Sequence, residues 1–275
     1  MPTIYVTAGE KLYGFIRKHF GAANGAQHAD FRRIAVSLRA KSFADFFDEL
    51  LHLHTAGRLI HAAGDILKNQ LIEPPQHMAA IRDFAIDKCN TAAIPSMNID
   101  ELVQLTYEAA RRAGRSITRS QRRLVLEECK GVFKCYMCGT NLDPDAPEGD
   151  NRHLTLDHIW SSTYGGDSVA GNLLPACSFC NGAKGSMMTW QWVLVHASLA
   201  GFTLRAGEIT KQVKIALHAR AALAISERDS LTLKDAFLLL GPREPVAKLD
   251  PDDTSDFFNL FAHDSGRHNL FWTTG

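Results

Sequence analysis

The sequence predicts a mainly α chain with a small metal-stapled insert that contains β structure. Three observations lead there. Apolar residues recur at helical spacing through residues 1–115, two C-x-x-C pairs lie near the middle of the chain, and a short alternating run, His153-Leu154-Thr155-Leu156, falls between those pairs. The expected organisation is a helical N-terminal region over 1–115, a metal-stapled region over 116–205 and a helical C-terminal region over 206–275.

The elements follow in order. Phe43, Phe46, Phe47, Leu50, Leu51 and His54 share one face of a helix, and Leu59, Ile60, Ala63, Ile66 and Leu67 continue a similar stripe. Pro74-Pro75 break the chain before a helical stretch that ends near Cys89. Asn98, three residues ahead of Glu101, marks another helix start. Asn141 to Asp150 is rich in Asp, Pro and Gly and reads as a loop. The alternating run gives a short strand ending at Asp157-His158. Ser161 to Gly171 is turn-prone, with Gly165-Gly166 at its centre. Helices are expected from near Cys177 to about residue 200, from Ile209 to Ala224 and from Thr232 to Leu240. The last has a Thr232/Asp235 cap and a Gly241-Pro242 stop.

Lys+Arg and Asp+Glu both number 30, so the formal net charge is zero in a chain of 275 residues. This balance hides a basic centre. Arg111, Arg112, Arg115, Arg119, Arg122, Arg123, Lys130 and Lys134 face only Glu127 and Glu128. It also hides an acidic end, where Asp250, Asp252, Asp253, Asp256 and Asp264 stand against Arg267. No apolar run reaches the ~18 residues of a membrane span. The first residues lack a basic start followed by an apolar core. The expectation is a cytoplasmic protein without a membrane partner, whose thiols stay reduced.

In that compartment, Cys135/Cys138 and Cys177/Cys180 suit a structural Zn²⁺ held by four thiolates. The alternatives are a redox dithiol or plain core cysteines, and neither pair has the βαβ surroundings of a redox motif. The gap between the pairs, residues 139–176, exceeds a compact zinc ribbon, so a folded insert must lie between the knuckles. Cys89 and Cys129 read as ordinary buried thiols.

The run L-T-L-D-H-I, followed by G-G-D-S-V-A-G-N-L-L-P-A-C-S-F-C-N-G-A-K, resembles the HNH nucleases of the zinc-stapled kind. The likeness covers about Lys134 to Met188. It implies a small ββα-metal core of the HNH, or His-Me finger, type within the mainly α chain. His158 matches the first His of the motif, Asn172 the central Asn and Asn181 the final position, which makes an H-N-N variant. Asp157 matches the acidic residue before the first His.

The residues suit that chemistry. A neutral imidazole can take a proton from water at neutral pH, so His158 is the candidate base. Asp157 and Asn181 offer oxygen ligands to a catalytic Mg²⁺ or Mn²⁺. Asn172 is expected to hold the loop that orients His158, and Lys184 to reach a phosphate oxygen as a point charge. Each residue alone has a plainer explanation: an Asp-His step is commonly a capped turn, Asn172 a turn residue and Lys184 a solvated side chain. Their joint placement around the cysteine pairs favours chemistry.

Arg115, Arg119, Arg122, Arg123 and Lys134 are candidate phosphate contacts, although a charge run is usually a solvated helix face. Trp160, Trp190 and Trp192 could stack on bases, though core packing is the commoner use of the last two. The expected partner is DNA, double-stranded, cut to 5′-phosphate and 3′-hydroxyl ends as the family does, in phage defence or a mobile element. A regulatory protein or a second copy could dock on the helical flanks. The rival functions are a non-catalytic zinc-stapled DNA-binding module and a partner-binding scaffold with a vestigial core.

Overall fold

The computed structural model describes residues 4–23, 41–89, 91, 98–185 and 211–242, with backbone alone at 20–23, 41–50, 211–214, 216, 217 and 220. Among the described residues the chain is mainly helical, with one small two-stranded antiparallel sheet. It divides into two compact units. One comprises residues 5–117 with 160–172. The other comprises 118–159 with 173–275 and the first four residues.

The helical unit holds α1 (Ala8–Ala23), α2 (Lys41–Lys68), α3 (His77–Cys89) and α4 (Ile99–Arg112). Thr7 and Glu10 open α1 reciprocally. The Thr7 hydroxyl accepts from the Glu10 amide at 3.1 Å, and the Glu10 carboxylate accepts from the Thr7 amide at 2.7 Å. Burial pushes the Glu10 carboxyl up, against the lowering effect of the Thr7 amide and hydroxyl. Asn98 caps α4 by accepting from the amides of Asp100 and Glu101. Leu102, Val103, Thr106, Ala109 and Ala110 then form the buried stripe of α4, at the spacing of one helix face. Leu12, Ile16, Leu59, Ile60, Ala85 and Leu102 join one apolar core. Ala63, Ile81, Val103 and Ala110 form a second cluster. Each fully buried large aliphatic contributes about 1.5–3 kcal/mol. Of the predicted stripes, Leu59, Ile60 and Ala63 are buried and Ile66 and Leu67 half-buried; in the other, Leu51 is half-buried, His54 is exposed rather than buried, and Phe43, Phe46, Phe47 and Leu50 lie outside the described side chains. Among the described residues, no helix is long and apolar enough to cross a membrane.

The second unit contains α5 (Arg119–Glu128), β1 (Leu154–His158), β2 (Leu173–Cys177), α6 (Ser178–Lys184), α7 (Lys211–Asp229) and α8 (Leu233–Leu240). Thr118 and Gln121 form a complete capping box on α5. β1 and β2 pair antiparallel, with Leu154 opposite Cys177, Asp157 opposite Leu174 and His158 opposite Leu173. β1 ends at His158 as expected but starts after His153, whose ring bonds the Ala146 carbonyl at 2.6 Å. α7 extends to Asp229, beyond the expected Ala224. α8 has its Thr232 cap, and Gly241 at φ 70° ends it as predicted. The expected helix from Cys177 is described only over Ser178–Lys184; its continuation, Trp190, Trp192 and the acidic residues after 249 lie outside the described residues.

Candidate functional site

Two C-x-x-C pairs come together in the second unit. The four Sγ atoms of Cys135, Cys138, Cys177 and Cys180 all lie within 4.8 Å of one another, and those of Cys138 and Cys177 are 3.8 Å apart. A tetrahedral ion with metal–sulfur bonds of 2.3 Å sets its sulfurs about 3.8 Å apart, so these four could hold a metal such as zinc. Local backbone geometry builds each knuckle. At the first, the Gly139 amide donates to the Cys135 carbonyl at 2.8 Å, a turn that Gly139 closes at φ 75°. At the second, Cys177 is both the last residue of β2 and the N-cap of α6, with its Sγ accepting from the Cys180 amide at 3.3 Å. Crowding splits the thiols. Hydrogen bonding from Cys135 draws Cys138 strongly towards the thiolate and Cys177 down to about 6, while Cys135 and Cys180 are pushed up by the neighbouring sulfurs. Cys89 and Cys129 stand apart from this cluster and are half-buried rather than buried.

Beside the second knuckle, α6 lies along one face of β1. Asn181 Nδ2 donates to the Thr155 hydroxyl at 3.0 Å, and Lys184 Nζ donates to Asp157 Oδ1 at 3.0 Å. Thr155 and Asp157 are two apart on a strand, and Asn181 and Lys184 three apart on a helix, so both pairs present one face to each other. His158 is the last residue of β1, next to Asp157, and is half-buried. Its carbonyl accepts from Lys184 Nζ at 2.5 Å. Burial lowers the basicity of the His158 imidazole, with Lys184 adding to the effect and Asp157 opposing it, so the neutral ring is favoured.

Lys184 departs from its expected orientation. It is 4% exposed, and its ammonium turns inward to Asp157 and His158 instead of standing out towards a phosphate. Tyr136, between the first two cysteines, was not singled out by the sequence. Its hydroxyl donates to Asp157 Oδ2 at 2.6 Å, and its ring packs edge-on against Phe237. Burial, then the neighbouring Asp157 charge, pushes the phenol well up, which keeps it a donor. A single tyrosine inside a knuckle gives no periodic or spacing signal.

Asn172 belongs to the helical unit, and it ties the 160–172 loop shut. Its Oδ1 accepts from the Trp160 amide at 2.7 Å, and its Nδ2 donates to the carbonyls of Trp160 and Asp167, both at 3.0 Å. Asp167 accepts from the Ala8 amide and from Arg112. Gly165 sits at φ 75°, where an added Cβ would come within 2.8 Å of Ala109. Trp160 is buried against Tyr13 and donates to the Tyr164 carbonyl, so it is a core ring and not a stacking platform.

Of the basic candidates, Arg119, Arg122, Arg123 and Lys134 are exposed in the second unit and Arg115 is exposed in the helical unit. Arg122 also reaches the Leu154 carbonyl, and Arg123 pairs with Glu127. A cleft of about 680 Å³ lies within the helical unit, lined by His61, Lys68, His77, Tyr107 and Arg111 among others, and contains none of the motif residues. Comparison with family models, with curated proteins and with solved structures finds no match.

Proposed function

We propose that the chain is a metal-dependent endonuclease of the HNH type that hydrolyses DNA phosphodiester bonds. The reading rests on one arrangement. Asp157 and His158 end a strand whose face meets Asn181 and Lys184 on the helix that a cysteine knuckle begins. A hairpin followed by a short helix is the ββα order that the motif implies. In this reading the four cysteines hold a structural Zn²⁺, and DNA meets the exposed arginines of α5.

The donor set suits a hard divalent cation. Asp157 offers a carboxylate, and Asn181, with its Nδ2 committed to Thr155, offers its carbonyl oxygen. Bound there, Mg²⁺ or Mn²⁺ would polarise the phosphate and offset charge on the leaving oxygen. His158, favoured as the neutral ring, takes a proton from water as the water oxygen bonds to phosphorus. The bond from phosphorus to the 3′-oxygen breaks, and that oxygen is protonated from solvent, leaving 5′-phosphate and 3′-hydroxyl ends. Asn172 holds the loop that begins two residues after His158.

The test is plasmid cleavage with Mg²⁺ or Mn²⁺ by the wild type and by His158→Ala. Cleavage should fall by about a hundredfold or more, the scale of a lost general base, with metal content and thermal stability unchanged. A His158→Ala protein that cuts at the wild-type rate removes the base assignment. A wild type that binds DNA without cutting it favours the zinc-stapled binding module.

A further inference from the structure

Asp157 is 3% exposed, and its two oxygens have different partners. Oδ2 takes the Tyr136 hydroxyl at 2.6 Å, from the first cysteine knuckle. Oδ1 takes the Lys184 ammonium at 3.0 Å, from the end of α6. Both members of the ion pair are almost wholly out of water, with side-chain exposures of 5% and 4%. The oxygen that a divalent cation needs is therefore already matched by a protein cation. An ammonium and a divalent ion cannot share that oxygen without repulsion that water does not screen.

Resting on the nuclease reading, we propose that Lys184 is the resident counter-cation of the metal site, displaced from Asp157 Oδ1 when the divalent ion loads, while Tyr136 holds Oδ2 throughout as a positioning residue. The local backbone permits the exchange. Lys184 is the last residue of α6, and Gly185 follows at φ 58°, so the side chain can leave without unwinding the helix. Tyr136 is anchored by the Phe237 contact and by its own amide, which donates to the Pro175 carbonyl at 3.0 Å. It therefore keeps its place when Lys184 leaves. The carboxylate of an empty site stays neutralised, and the site accepts a divalent ion only by exchange.

The two residues have opposite signatures, which general damage to the fold cannot imitate. The full chain, loaded with zinc and free of DNA, is titrated with Mn²⁺ and followed by electron paramagnetic resonance. Lys184→Met should bind Mn²⁺ about tenfold more tightly than wild type, because the competing cation is gone. Tyr136→Phe should bind it about tenfold more weakly, the usual scale for loss of a hydrogen bond behind a metal ligand. Zinc content should be the same in all three. Lys184→Met leaves a buried carboxylate unpaired and will be less stable without Mn²⁺. Its melting temperature should then rise more on Mn²⁺ addition than that of wild type, and this readout holds even if part of the sample is unfolded. Mn²⁺ affinity in Lys184→Met equal to or below wild type overturns the displacement, and wild-type affinity in Tyr136→Phe overturns the positioning role. If wild type cleaves DNA while Mn²⁺ affinity ignores both changes, the nuclease reading stands and this proposal falls. If wild type neither binds Mn²⁺ nor cleaves, both fall.

Discussion

The two units are held together by different physics. In the helical unit, Leu12, Ile16, Leu59, Ile81 and Leu102 are almost fully removed from water, and helices of thirteen residues or more bring long apolar stripes together. In the other, the site is built from two strands of five residues and a helix of seven. Elements that short bury little apolar surface, and a lone two-stranded hairpin is marginal in water. Four clustered sulfurs sit in the same unit as buried Val125, Leu154, Leu173, Ile215 and Phe237. The same region also buries an acid, an ammonium and a phenol in contact with one another. The helical unit buries polar groups too, Glu10, Asp167 and Asn172 among them, but it ties them to backbone amides and carbonyls. In the second unit the buried acid pairs with a buried ammonium and a buried phenol instead, an arrangement that chemistry can use.

The sharpest way to break this contrast is to remove one sulfur. Cys177→Ser should lose the metal and cost roughly 5 kcal/mol or more in the second unit, since structural zinc sites supply about 10 kcal/mol of apparent folding free energy. Serine can still cap α6 in place of Cys177, so the loss would come from the missing sulfur ligand and not from the helix start. Metal analysis with chemical denaturation checks this, and a stable, fully loaded Cys177→Ser protein would remove the four-cysteine site. The helical unit should keep its own unfolding transition, because its cores contain none of the four cysteines. Next in size is Asn172→Ala. The buried amide serves three backbone groups of the 160–172 loop, and leaving them unpaired should cost about 3 kcal/mol. That loss should appear in the transition of the helical unit, with metal content unchanged.

The same contrast governs what could be read from the sequence. Helices with long periodic stripes or side-chain caps were legible: Leu59, Ile60 and Ala63 are buried, Asn98 caps α4, and Thr232 with Gly241 bounds α8. The four cysteines were legible as a cluster because C-x-x-C spacing is a local constraint. β2 had no period-two signal of its own. Leu173 to Cys177 is buried throughout and includes Pro175, a residue that argues against a strand yet lies opposite Leu156 in the pair. The motif sets Lys184 towards a phosphate oxygen, and the buried Asp157 that turns it inward has no signal near it in the sequence. Tyr136 and Asp167 act through contacts distant in sequence, with Asp157 in one case and with Ala8 and Arg112 in the other. Pairings across such separations have no local pattern to betray them.

The smallest effect tests whether the second unit also draws on ordinary helix chemistry. Thr118 accepts from the Gln121 amide at 3.3 Å, and Gln121 Oε1 accepts from the Thr118 amide at 2.9 Å, which closes the box on α5. Thr118→Ala should cost about 1 kcal/mol and lower the melting temperature by about 2–4 °C. The loss is local, because a cap acts on the first turn of its own helix. That turn carries Arg119 and leads into Arg122 and Arg123. If these arginines meet phosphates, a frayed first turn weakens DNA binding by a few-fold, and high salt erases the difference between variant and wild type. Binding isotherms for Thr118→Ala at two salt concentrations read this directly. A difference that survives high salt would mean that α5 contributes through packing, and the arginine face would be only a solvated surface.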